Sequence, residues 1–293
     1  MSVLEDLKLQ YKIGSISIRL VFWNVLLYVI PEVIFALLKL FKVNINYLNF
    51  VSVSTTFSDL AWKPWSIVSY SFFHSGVLHL IFNMLMLYYV GRLFITFFTQ
   101  KQLLGVYLLG AIFSGAVFIA SYAFLPALTP ISTQMIGASG SIMAILFATT
   151  SYQPFMDVRL FGVFKMKLWH IAFVLVFFDL IQLPLENTGG HLAHIAGAVF
   201  GYIYIVLLKR GTDLTSGVNS FIDFIANLFN KKDSTKFRKV YVNPKKQAEK
   251  RESKIVTKDK AQQQIDEILD KISKSGYDSL TKEEKEFLFN AGK

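Results

Sequence analysis

The chain has 293 residues, of which 53% are apolar and 28 are phenylalanine, and its net charge is +10 with a mean hydropathy of +0.45. This apolar content exceeds that of an ordinary soluble domain and predicts a membrane protein. The sequence has no cysteine, which excludes disulfides, thiolate metal sites and a cysteine nucleophile, so any chemistry falls to Ser, His, Asp or Glu.

Six apolar runs are predicted as membrane helices, and in chain order they cover about residues 16–38, 77–98, 103–124, 139–152, 168–185 and 192–208. The fourth run would reach only about 21 Å at 1.5 Å per residue, against a hydrocarbon thickness of roughly 30 Å. It cannot span unaided, so residues 125–138 before it are predicted to dip inward as irregular backbone. The predicted fold is an all-α, six-helix membrane bundle.

The chain is predicted to divide into an N-terminal segment (1–15), a membrane domain (16–210) and a tail (211–293). If residues 1–15 are cytoplasmic, ten basic residues of the N-terminal segment and the membrane domain lie on the cytoplasmic side, and three lie on the outer side. The inner ones are Lys8, Lys12, Arg19, Arg92, Lys101, Arg159, Lys165, Lys167, Lys209 and Arg210, and the outer ones are Lys39, Lys42 and Lys63. This excess predicts that both termini are cytoplasmic.

Polar side chains collect at the predicted outer ends of the second, fourth and sixth runs, and they are His74, His79, Asn83, Ser139, His191 and His194. Polar residues inside a membrane are costly and usually face the bundle interior or a water-filled cavity, so their convergence predicts a site. Ser139 begins the short run, at a helix N-terminus whose free N–H groups suit an incoming oxygen. A serine hydroxyl becomes a nucleophile when a nearby imidazole, such as that of His194, takes its proton.

Each of these residues also has a structural interpretation. Ser139 alone could be a helix cap, and His194 could be a core histidine with satisfied hydrogen bonds. His79 and Asn83, four residues apart, could hydrogen-bond between helices. His191, like His170, is interpreted as structural or interfacial.

Three motifs occur in order on this six-run chain: His79-x-x-x-Asn83, Gly137-Ala-Ser-Gly140, and Ala193-His194-x-x-Gly197-x-x-x-Gly201. Together they resemble the rhomboid intramembrane serine proteases over about residues 15–210. The small residues of the third motif recur every four positions, a stripe that lets another helix pack closely.

The resemblance implies an intramembrane serine endopeptidase that cleaves transmembrane segments of other membrane proteins. In it, Ser139 is the nucleophile, His194 the base, and His79 and Asn83 assist the oxyanion. His74 corresponds to a family histidine with a structural role. Asp179 matches a family aspartate on the fifth helix but is not placed as a third catalytic member, so a Ser-His dyad is expected. No cofactor or metal is implied.

Two other functions stay open at this point. A catalytically inactive rhomboid-like protein would bind membrane helices without cutting them, although retention of both Ser139 and His194 disfavours it. A metal or haem protein could use the clustered histidines, but no His-Glu-x-x-His pattern exists and no carboxylate lies among these histidines in the sequence.

The tail is predicted to contain an amphipathic helix at the cytoplasmic interface, with an apolar face made of Phe221, Ile222, Phe224, Ile225, Leu228 and Phe229. Residues 231–260 hold 12 basic and 4 acidic side chains. Beside a bilayer this run favours anionic lipid over nucleic acid, with a merely solvated linker as the alternative.

A second apolar face at Ile265, Ile268, Leu269 and Ile272 ends at Ser275-Gly276, and Thr281 with Glu284 predicts a capping box that opens a further helix. A small helical hairpin with an unknown partner is expected. Similar helical tails occur on some bacterial rhomboids, and the predicted location is the inner membrane of a bacterium.

Overall fold

A computed structural model describes residues 2–129, 131–160, 163–229 and 262–291, with the backbone alone for Leu160 and Phe229. The chain forms two compact units, Met1–Lys231 and Lys232–Lys293. The basic run of residues 231–260 lies outside the described residues. The boundary predicted at 210 stays a prediction, and the first unit continues beyond it.

The first unit is built mainly of helices. They are α1 (Val3–Ile13), α2 (Ile16–Leu40), α3 (Leu48–Val51), α4 (Phe57–Trp62), α5 (Ser66–Ser69), α6 (Val77–Phe94), α7 (Gln100–Phe124), α8 (Ser139–Tyr152), α9 (Leu168–Gln182), α10 (Thr188–Lys209) and α11 (Thr215–Phe229). A 3₁₀ turn, Tyr70–Phe72, follows α5. All six predicted apolar runs are therefore helical, and the fourth helix begins at Ser139.

Among the described residues, four helices are long and apolar enough to cross a membrane: α2, α6, α7 and α10. The fold is thus a mostly helical one with membrane-spanning character. Helices α8 and α9 have only 14 and 15 residues. The count of six spans stays a prediction.

Helices α7, α8 and α10 pack together through glycine. A Cβ added at Gly197 of α10 would collide with the backbone carbonyl oxygen of Gly140 in α8, and one added at Gly201 would collide with that of Ala144. A Cβ added at Gly110 of α7 would lie 2.7 Å from the Cβ of Ala144 in α8. The predicted stripe of small residues on α10 is therefore its contact with α8, where backbones approach closely.

Residues 125–129 and 131–138, which lead to the start of α8, are non-helical, whereas their predicted inward dip into the membrane stays a prediction. Strand β1 (Val53–Ser54) pairs antiparallel with β2 (Gln134–Met135), with Val53 opposite Met135 and Ser54 opposite Gln134. The N–H of Gly137 then donates to the carbonyl of Tyr70 at 2.9 Å. Gly137 has φ +131°, a conformation that favours glycine, and a Cβ there would lie 2.7 Å from the ring of His79.

A strand hairpin follows the C-terminal end of α8, and helix α11 packs near the N-terminal end of α7. Strands β3 (Asp157–Leu160) and β4 (Phe164–Lys167) form an antiparallel hairpin between α8 and α9. These two short strand pairs are additions to the predicted all-α fold. Helix α11 packs on α7, where a Cβ at Gly105 would collide with Thr215.

The second unit contains the predicted helical hairpin. Its helices are α12 (262–275) and α13 (Lys282–Ala291). The predicted capping box is present, because the Thr281 N–H donates to Glu284 Oε2 at 2.7 Å and the Glu284 N–H donates to Thr281 Oγ1 at 3.3 Å. Lys271 of α12 donates to both carboxylate oxygens of Glu284, at 2.9 and 3.0 Å, and so links the two helices.

Candidate active site

The structure brings Ser139 and His194 into direct contact. Ser139 Oγ and His194 Nε2 lie 2.7 Å apart, although 55 residues separate them in the sequence. Ser139 is on the first turn of α8 and His194 on the first turns of α10, so the close packing of these helices brings the hydroxyl and the imidazole together. Each residue is only partly buried. The two side chains are therefore hydrogen-bonded to each other and still partly accessible to solvent.

The helix-cap interpretation of Ser139 does not fit this geometry. The N-cap of α8 is Ala138, and no side chain caps the helix. Ser139 is the first helical residue, and its hydroxyl is directed at His194. Its backbone N–H belongs to the first turn, where N–H groups have no partner within the helix.

A buried carboxylate lies behind His194. Asp179 Oδ1 of α9 is 2.8 Å from Nδ1 of His194 and 2.7 Å from Nδ1 of His191. The exposed fractions of the three side chains are 9% for Asp179, 17% for His191 and 27% for His194. Since an ionised carboxylate only accepts hydrogen bonds, both Nδ1 atoms carry the proton in this arrangement.

The carboxylate corrects one argument made from the sequence. The sequence places no carboxylate among the clustered histidines, but this is wrong in three dimensions, since Asp179, His191 and His194 form a group of ligand types that could hold a metal ion. The O–N separations of 2.7 and 2.8 Å are hydrogen-bond distances. Ligands around one tetrahedral zinc, with bonds near 2.0–2.1 Å, lie about 3.3 Å apart. The distances therefore favour a hydrogen-bonded cluster.

Sequence reasoning noticed Asp179 but did not connect it to His194. The sequence does contain a feature that marks Asp179, since it is the only acidic residue of α9 and its neighbours in the chain are apolar. An ionisable residue in an apolar helix predicts a functional contact. Its partner could not be read from the sequence, because the rotation of α9 against α10 decides which side chains meet.

His79 and Asn83, on consecutive turns of α6, line the same cavity as Ser139 and His194. Asn83 Nδ2 donates to the carbonyl of His79 at 2.9 Å, which leaves the amide a second N–H. His79 Nδ1 lies 3.3 Å from Ser75 Oγ. Both residues thus lie in the cavity lining, and the hydrogen bonds of the described residues include none from either of them to Ser139.

His74 and His170 stand apart from the Ser139–His194 pair. His74 is fully buried, and its ring packs edge-on against that of His79 with the centroids 5.2 Å apart. Neither of its ring nitrogens has a hydrogen-bond partner among the described residues. His170 packs against the ring of its neighbour Trp169.

The cavity has a volume of about 650 Å³, within the usual range for ligand-binding sites. Its polar lining includes Ser139, His194, His79, Asn83 and Asp179, and its apolar lining includes Phe82, Met86, Met143, Leu175 and Phe178. The apolar residues come from α6, α8 and α9. A partly apolar peptide segment could therefore contact the serine.

Comparison with known proteins gives two family matches and one relative. The Rhomboid domain family matches residues 61–211, more than half of the chain, and a family of unknown function (DUF6576) matches residues 256–290. The chain is 33% identical over 138 residues to presenilin-associated rhomboid-like protein A, mitochondrial, of Danio rerio. That alignment spans 46% of this chain and 35% of the relative, about a third of the relative's length.

Proposed function

Because the chain belongs to the rhomboid family, we propose that it is an intramembrane serine endopeptidase that cleaves a peptide bond in or beside a transmembrane segment of another membrane protein. The observation that carries this proposal is the 2.7 Å contact between Ser139 Oγ and His194 Nε2, two residues that line one cavity. A hydroxyl next to an imidazole that can take its proton is an activated nucleophile.

In the proposed reaction, Ser139 Oγ attacks the carbonyl carbon of the substrate while His194 Nε2 takes the hydroxyl proton. The tetrahedral intermediate collapses, and His194 returns the proton to the departing amine. A water molecule entering through the cavity then hydrolyses the acyl-enzyme, again with His194 as the base. No cofactor takes part in these steps.

The oxyanion of the intermediate would be stabilised by the backbone N–H of Ser139, the free N–H of the Asn83 amide and the His79 ring. The location of these three groups around one cavity supports this assignment. Hydrogen-bond donors directed at the developing charge are a large contribution to acyl-transfer catalysis.

The proposed test is labelling by a fluorophosphonate, which reacts with activated serines, together with cleavage of a reporter protein that has one transmembrane segment. We expect wild-type protein to be labelled and active, and Ser139→Ala to show neither property. Ser141→Ala is the matched control, because Ser141 is a buried serine of the same helix without a hydrogen-bond partner among the described residues. A folded wild type that binds the reporter but neither reacts nor cleaves would instead support an inactive membrane-helix binder.

The proposal locates the protein in the inner membrane of a bacterium, with both termini in the cytoplasm. It rests on the distribution of Lys and Arg along the chain and on the likeness of the helical tail to those of some bacterial rhomboids, whereas the relative above is mitochondrial by its name. In this orientation the exposed apolar side chains of α11, such as Phe221 and Phe224, contact membrane lipids.

Reporter fusions test this orientation. A reporter after Lys293 should be accessible only from the cytoplasm, and one inserted within residues 44–58 only from outside. The opposite accessibility at either place would overturn it.

A further inference from the structure

We infer that Asp179 is a positioning residue, which holds His194 in the tautomer and orientation needed to take the proton of Ser139, with His191 as a second donor to the same carboxylate oxygen. The inference rests on the proposed function for its catalytic meaning. Asp179, His194 and Ser139 then form a chain of two hydrogen bonds, of 2.8 and 2.7 Å, in which Asp179 orients His194 and takes no proton.

The chemistry of the two ends of His194 sets the tautomer. A neutral imidazole has one N–H and one lone pair, and an ionised carboxylate can only accept. With Asp179 Oδ1 at 2.8 Å, the proton must lie on Nδ1. Nε2 then presents its lone pair to Ser139 Oγ, which is the arrangement a general base requires.

The carboxylate of Asp179 has little access to solvent and few hydrogen-bond donors around it. Its side chain is 9% exposed, and its ion-pair partners among the described residues are His191 and His194. A carboxylate taken out of water is costly unless hydrogen bonds compensate. The two contacts from α10 compensate part of this cost and hold the carboxylate against His191 and His194.

His191 makes the carboxylate position more rigid. It lies one turn before His194 on the same face of α10, and the two rings meet edge-on with centroids 5.9 Å apart. The Nδ1 atoms of His191 and His194 lie 2.7 and 2.8 Å from Asp179 Oδ1, so the two hydrogen bonds have nearly equal length. Among the described residues, the side-chain hydrogen bond of His191 is to Asp179 and that of Ser139 is to His194, so removal of His191 should leave the link between Asp179 and His194 intact.

The first experiment measures kcat and KM for cleavage of the reporter by Asp179→Asn and Asp179→Ala. Asparagine keeps the shape but can donate to Nδ1 of His194, which would put the proton on Nε2 and remove the base. We expect kcat to fall about 10²- to 10⁴-fold with KM nearly unchanged. Thermal unfolding of each variant controls for loss of folded protein.

The second experiment does not depend on cleavage. Nitrogen-15 NMR of histidine-labelled protein at pH 8 reads the tautomer of each ring, and the chain has only five histidines to assign. We expect His194 to be Nδ1-protonated in the wild type and in the control His191→Phe. In Asp179→Ala it should shift to the Nε2-protonated form that free imidazole side chains prefer.

The two measurements separate the two proposals. If Asp179→Asn and Asp179→Ala are folded and either cleaves with the wild-type kcat, or if His194 keeps its Nδ1 proton in Asp179→Ala, the positioning role is overturned. A fall in kcat that only follows the folded fraction, with the tautomer unchanged, overturns it as well. If the wild type does not cleave but His194 loses its Nδ1 proton in Asp179→Ala, the protease proposal fails, while the role of Asp179 in orienting His194 stands.

Discussion

Helices α7 and α2 have equal length and similar hydropathy but opposite surroundings. Each has 25 residues and a most apolar stretch of nearly equal hydropathy, yet 56% of that stretch is buried in α7 and only 11% in α2. Helix α7 packs with α8 and α10 through glycines, whereas α2 exposes large apolar side chains such as Leu26 and Leu37. Lipid is as apolar as leucine, so apolar character does not decide which helix is central.

Small and polar residues mark the inner group instead. Gly110, Gly197 and Gly201 allow the backbones to approach, and the Ser139–His194 pair lies in the resulting junction. The comparison therefore predicts large effects, on chemistry or on packing, for substitutions at the inner junction. It predicts small effects for substitutions on the outer face of α2.

The largest effect is expected at the junction of α8 and α10, where chemistry is concentrated. Ser139→Ala and His194→Ala should each lower the initial cleavage rate by roughly 10⁴- to 10⁶-fold, and the double variant should be little worse, because nucleophile and base act as one unit. Rates in liposomes, with thermal unfolding as the control, measure this. Losses that multiply in the double variant would show that the two residues act independently.

On α6, which borders the same cavity, the expected effect is smaller. Asn83→Ala removes one proposed oxyanion donor while the Ser139 N–H remains, so turnover should fall by up to about 10²- to 10³-fold. His79→Ala should be more harmful in the Asn83→Ala background than alone, since the two side chains share the task. Folded variants that cut at the wild-type rate would refute the oxyanion assignment.

Packing at the junction should affect the stability of the fold. Gly197→Ala would force a Cβ onto the Gly140 carbonyl, and since backbone cannot move aside without separating α8 from α10, we expect a loss of about 1–3 kcal/mol in unfolding free energy. Gly217→Ala is the matched control: Gly217 is in helix α11, and among the described residues no atom outside the adjacent backbone lies within 4 Å of an added Cβ. That variant should be neutral or slightly stabilising. Equal melting temperatures for the two would contradict the close-packed junction.

Truncation should have less effect on activity. Removing residues 211–293 leaves every proposed site residue in place, so cleavage should be largely retained. It also removes α11 with the ion pair between Lys101 and Asp223, 2.6 Å apart and exposed, whose own contribution should be below about 1 kcal/mol. Truncation after Phe229 keeps α11 and is the control. If removal of 211–293 abolishes activity in a folded protein, the tail is part of the enzyme.

The smallest effect is expected on the lipid-facing side of α2. Leu26→Ala, at a side chain 49% exposed, should change the free energy of unfolding by less than about 0.5 kcal/mol. Leu20→Ala on the same helix, at a fully buried side chain, should cost about 2 kcal/mol or more. Thermal unfolding in one detergent measures both, and similar losses would mean that α2 is not a peripheral helix.

Much of the local structure could be predicted from the sequence. The six apolar runs became helices, α8 began at Ser139, and the capping box at Thr281 opened α13. These features depend on run length, hydropathy and neighbours three or four residues away. The convergence of Ser139 and His194 was also predictable, because both lie at the same predicted depth of their helices.

Only the tertiary structure decided which distant side chains touch. It placed Asp179 behind His194, turned the Asn83 amide to its own helix, and paired β1 with β2 to lead the chain into α8. These contacts depend on how each helix is rotated and how it crosses its neighbours. In a helix surrounded by lipid, the face toward lipid and the face toward the protein are both apolar, so the sequence does not show how the helix is rotated. Close packing at glycine and buried hydrogen bonds fix this rotation, and they form only when the helices have assembled.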